Sequence, residues 1–133
     1  MHEFTTEYSS LEEFSAATNL NPFILDDDGL ICTSIIENSS EYSGRSLLTD
    51  YELGTDGILT ITQRWMPDDK IRSSGNDSFD NSFALQDGTI VYYSIDDQDG
   101  SFNAIFLLET STCQIYVNKE PYISHIMTVM QNH

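Results

Sequence analysis

The sequence predicts an α+β fold, an antiparallel sheet with one helix toward each end of the chain. Three observations carry that prediction. Short apolar runs separated by Asp-Gly turns fill the centre, a capping box opens a helical stretch near the start, and an apolar stripe at helical spacing closes the chain. At 133 residues, 39% of them hydrophobic and 11% aromatic, the chain fits one domain, residues 1–133, and no repeat or composition shift marks a boundary within it.

In SSLEEFSAATNL, Ser10 followed three positions later by Glu13 is the capping box, and Leu11, Phe14 and Thr18 share one face of a helix expected over residues 10–19. Asn21 and Pro22 should end it, because a residue before proline is driven from the helical region. FILDDDGLICTSIIE reads as a hairpin, two runs meeting at Asp27, Asp28 and Gly29. SLLTDYELG and ILTITQRWM form a second antiparallel pair around Asp56 and Gly57, with Leu59, Ile61, Gln63 and Trp65 alternating against Ile58, Thr60, Thr62 and Arg64. Residues 67–82, dense in Asp, Asn, Ser and Gly, read as a long loop. FALQDGTIVYYSI is a hairpin about Asp87 and Gly88, DDQDG is a further turn, and SFNAIFLLE and CQIYV are the last strands. The closing helix should be capped by Asn118, with Glu120 and Pro121 in its first turn and Tyr122, Ile123, Ile126, Met127 and Met130 forming its apolar stripe.

Five Lys and Arg stand against 22 Asp and Glu, a formal charge of −17. That imbalance repels phosphate backbones and anionic lipid, which argues against direct nucleic-acid or membrane binding. Residues 1–44 hold nine carboxylates and no Lys or Arg, and residues 73–118 hold seven. The excess either recruits a basic partner or serves as a charged shell. With no apolar stretch of about eighteen residues and an N-terminus unlike a signal peptide, the expected compartment is the cytoplasm. Cys32 and Cys113 lie far apart with no CxxC, so both are expected as unlinked, buried thiols.

Chemistry has little to build on. The histidines are His2, His125 and His133, and His125 is expected at the surface of the closing helix. GxSxG, GxxxxGK[ST], HExxH and the dinucleotide glycine pattern do not occur. The acidic turns at Gly29 and Gly100 place Ile24 and Ile95 where an EF-hand needs its first oxygen, so they read as turns and not as calcium loops. No enzyme activity, metal or cofactor is expected. Trp65, at a strand end before Met66 and Pro67, fits either a recognition anchor or a core aromatic.

Residues 11–37, LEEFSAATNLNPFILDDDGLICTSIIE, resemble the opening of the type III secretion chaperones of the Tir-chaperone class. Leu11 and Phe14 match the family's helical pair, Leu25 its strand, Asp26 to Gly29 its acidic turn, Cys32 the cysteine after it and Ile36 the isoleucine before an acid, with one extra residue between turn and cysteine. The resemblance implies a small acidic cytoplasmic chaperone, homodimeric through a middle helix in that family, whereas residues 67–82 here lack helical pattern.

Two functions are therefore carried forward. The leading one is a non-enzymatic protein-binding module that holds an extended segment of a secreted effector against its sheet, with Phe23, Leu25, Ile31 and Trp65 as candidate contacts on the early strands. The alternative is an acidic inhibitor of the nucleic-acid-mimic type, from phage anti-defence or toxin immunity, that blocks a basic surface of a nuclease or DNA-binding protein. A mimic needs its acids along one face, and a chaperone needs an exposed groove.

Overall fold

The computed structural model describes residues 3–25, 27, 29–40, 44–65, 79–108 and 111–132. Its elements run β1 (Glu3–Glu7), α1 (Leu11–Thr18), β2 (Leu30–Ser40), β3 (Gly44–Leu53), β4 (Gly57–Trp65), β5 (Asn81–Ala84), β6 (Ile90–Ile95), β7 (Phe102–Leu107), β8 (Thr112–Val117), a 3-10 turn over Glu120–Tyr122, and α2 (Ile123–Gln131). The eight strands form one antiparallel sheet in the order β1-β2-β3-β4-β8-β7-β6-β5. This is the expected α+β class.

Alternation along the strands decides which face is covered. In β4 the inward residues are Leu59, Ile61, Gln63 and Trp65, all buried. Across the register they align with Tyr51, Thr49, Leu47 and Arg45 of β3, and Leu59 to Gln63 align with Val117, Ile115 and Cys113 of β8. Both helices lie on this face over two apolar clusters. The larger joins the β4, β7 and β8 rows to Ile123, Ile126 and Met130 of α2 and to Phe23 and Leu25. The smaller seats Leu11 and Phe14 of α1 on Ile35, Leu47 and Trp65. Gly57 starts β4 because any side chain there would strike the Leu53 carbonyl, 2.7 Å from a Cβ, and the Tyr122 ring.

Several expectations need correction. Phe23–Leu25 is not a strand, and the hairpin expected about Asp27 to Gly29 does not form: β2 pairs instead with β1 and β3. The chain over residues 19–25 is a strap on the covered face, where the Phe23 N–H donates to the buried Gln63 Oε1 (2.6 Å) rather than to a strand. Alternate burial of Phe23 and Leu25 around exposed Ile24 mimics strand periodicity without the ladder. β1 escaped notice because an edge strand of mostly exposed residues carries no apolar alternation.

α1 begins as expected, the Ser10 hydroxyl accepting from the Glu13 N–H (3.1 Å), but it ends at Asn19 in the left-handed conformation (φ 60°) before the proline acts. Asn118 does not cap the closing helix. Its side chain accepts from the Ile58 N–H (2.6 Å) and donates to the Asp56 carbonyl (3.3 Å), tying the end of β8 to the β3–β4 turn. Of the expected loop, Asn81 and Ser82 belong to β5, while residues 67–78 lie outside the described residues. Cys113 is buried as expected but Cys32 is exposed, and neither is in a disulfide. No described helix is long and apolar enough to cross a membrane.

Candidate partner-binding groove

The site begins with a diverted strand. β1 pairs with β2 only over Ile36–Ser40, and the Tyr8 N–H adds one bond to the Ile35 carbonyl (2.9 Å) before the chain turns into α1. Serine at 9 and 10 supplies the turn and the cap, so the backbone leaves the sheet there. β2 nevertheless continues back to Leu30. Among the described residues, Leu30–Ser34 has a partner strand on one side only, that of β3. A register shift between Cys32 and Ser34 bends this open edge.

Beside the edge lies a groove of about 510 Å³. Tyr8, Leu11 and Glu12 bound it on the α1 side, Ile24, Leu25 and Asp27 of the strap on the other, and Tyr51 beneath. A second depression of about 470 Å³ shares Ile24, Leu25 and Asp27 and runs on to His125, Thr128 and Val129 of α2. The strap thus divides one trough between the two helices. It is held at both ends. Gln63 accepts from Phe23 N–H and donates to the Ser111 hydroxyl (2.8 Å) and to the Asn21 carbonyl (3.4 Å), while Asp27 Oδ2 accepts from His125 Nε2 (2.8 Å) and from the Gly29 N–H (3.0 Å). The His125 bond, then that of Gly29, holds the Asp27 carboxyl below its ordinary value. His125 is at the surface as expected, with its side chain 55% exposed.

Next to the groove a polar cluster ties Tyr8, ahead of α1, to β2 and β3. Glu37 is buried on β2, its carboxylate bound to Arg45 Nε (2.6 Å) and to the Tyr8 hydroxyl (2.6 Å). That bond is the main reason the Tyr8 phenol is raised. Every oxygen of this buried acid is engaged, which suits a structural ion pair. Partial burial pushes the Cys32 thiol up, opposite to the activation a nucleophile needs. No group of three or more His, Cys, Asp or Glu among the described residues could hold a metal.

Of the four candidate contacts, the structure brings Leu25 and Ile31 to the open edge. Leu25 floors both depressions, and Ile31 is 61% exposed on β2, facing the uncovered side of the sheet in a row with Glu52 and Ile58. Phe23 and Trp65 are elsewhere and buried. Phe23 packs edge-on against Phe106 (ring centroids 5.0 Å apart), and Trp65 lies over Phe14 (5.7 Å), as its core reading required. Sequence reasoning missed Tyr8, Glu12 and Cys32 as groove residues; the one available signal was the cap at Ser10, which dictates where the first strand must stop. No protein-family model, curated protein or solved structure matches this chain.

Proposed function

We propose that the protein is a non-enzymatic binding module that accepts an extended segment of a partner protein on the open β2 edge, acting in the cytoplasm as an export chaperone for a secreted effector. The observation that carries this reading is the stretch Leu30–Ser34, which among the described residues pairs with a strand on one side only and is flanked by a groove. Backbone pairing with a sheet edge supplies affinity, and alternate side chains supply selectivity. An added strand would continue the lane that β1 leaves, with one set of side chains entering the groove and the other meeting Ile31 on the opposite face. The resemblance of residues 11–37 to Tir-class chaperones supports the same reading, and a homodimer is part of what it implies.

One feature of the fold favours the alternative, a blocker of a basic surface. Glu52, Asp56, Asp96, Asp97, Asp99 and Glu120 all sit at the same end of the sheet, where β3, β6 and β8 finish and β4 and β7 begin, with Lys119 as their described cationic neighbour. Capture from extracts of the source organism separates the two. The chaperone reading expects a secreted protein retained by the wild type and lost with Ile31→Lys, which removes the exposed apolar side chain and places a charge of the kind that guards sheet edges there without disturbing the core. Recovery of a nuclease or repressor, unaffected by Ile31→Lys, would establish the blocker.

A further inference from the structure

We infer that the segment seated on the β2 edge carries apolar side chains toward the groove with Lys or Arg beside them; this rests on the edge-pairing reading above. A strand added along Leu30–Ser34 lies in the plane of the sheet, so its successive side chains face opposite sides. On the groove side they approach Leu25 and Tyr51, both almost fully buried, which suits apolar groups. Carboxylates border both sides of the same edge. Glu12, in the first turn of α1, and Asp27 line the groove. Asp50 and Glu52 lie on the opposite face of β3, across from Ser34 and Ile31.

Among the described residues none that lines the groove is Lys or Arg, and Arg45, toward the other end of β3, is bound to Glu37. The positive end of the α1 dipole at this rim is met by Glu12 and Glu13 in its own first turn. An acidic segment would be repelled here, and a purely apolar one would leave the carboxylates uncompensated. A segment alternating apolar and cationic side chains matches both the floor and the rim, and the charge match also speeds encounter and excludes wrong partners.

The protein carries its own reporter for this site. Cys32 is exposed on the edge, whereas Cys113 is buried and its thiol is pushed up by burial, so an alkylating reagent acts on Cys32 in the native protein. The test measures Cys32 alkylation by intact mass at about 0.15 M salt with three short synthetic peptides, one alternating Val and Lys, one Val and Glu, one Ser and Lys. The Val–Lys peptide, with Val toward the groove and Lys toward Asp50 and Glu52, is expected to slow alkylation by about tenfold or more, the other two by less than about twofold, and Glu52→Lys to weaken Val–Lys protection by about tenfold. Equal protection by the Val–Glu peptide would overturn the cationic assignment while leaving edge pairing intact. Equal protection by Ser–Lys would overturn the apolar half and reduce the effect to net-charge attraction. Absence of protection by all three would overturn the seating of such a segment at this edge, and the capture experiment then decides the edge-pairing reading separately.

Discussion

Gln63 shows how a single buried polar residue can set the path of a loop. It is 2% exposed, stands in an otherwise apolar row of β4, and is bonded to Phe23 N–H, Asn21 O and the Ser111 hydroxyl. A buried amide is tolerated only when such partners exist, and here each partner lies in a segment that has no ladder of its own. Gln63→Leu keeps the volume but removes the acceptor for Phe23 and the donor to Ser111. We expect a loss of about 2–4 kcal/mol in urea denaturation, with the strap loosened before the sheet. A loss below about 0.5 kcal/mol would mean that apolar packing of Phe23 and Leu25 alone holds the strap. Alternation in ILTITQRWM placed Gln63 on the same face as Leu59, Ile61 and Trp65, so its burial was legible; its partners, about 40 residues away on either side, were not.

Among the elements, α2 and β1 mark the two limits of what pattern reveals. The stripe expected on α2 is the one observed, with Ile126 and Met130 fully buried, Ile123 nearly so, and Tyr122 and Met127 partly covered. Ile126→Asp puts a carboxylate at the middle of that face, where it can neither reach water nor find a cation. A loss of about 3 kcal/mol or more is expected, a large share of the stability of a domain this size. Thermal melting of the variant within about two degrees of the parent would show that the helix is peripheral. β1 is the opposite case. Its place is fixed by backbone pairing with Ile36–Ser40, and its side chains are largely exposed, so nothing in their order signals a strand.

For the whole molecule, charge dominates. Among the described residues, only the Arg45–Glu37 ion pair is well buried on one side, while Lys119–Asp56 spans 3.9 Å between exposed groups and contributes little. A net charge of −17 therefore acts as self-repulsion that the fold does not neutralise internally. Raising NaCl from about 0.05 to 0.5 M shortens the screening length severalfold and should raise the melting temperature by several degrees. A melting temperature that stays level or falls would show that the carboxylates are spaced widely enough to be harmless.

By itself the sequence determined the α+β class, the capped first helix, the β3–β4 and β5–β6 pairs, the last two strands and the apolar face of the closing helix. Each of these rests on local periodicity, capping or turn chemistry, which neighbouring residues encode together. Only the tertiary structure decided that residues 21–25 form a strap instead of a strand, that β1 pairs with one half of β2 and leaves the other half, among the described residues, without a second partner strand, and that Cys32 is exposed while Phe23 is not. Those outcomes depend on which distant group meets a given N–H or side chain. Gln63 and Ile35 settle that competition through contacts that no local pattern records.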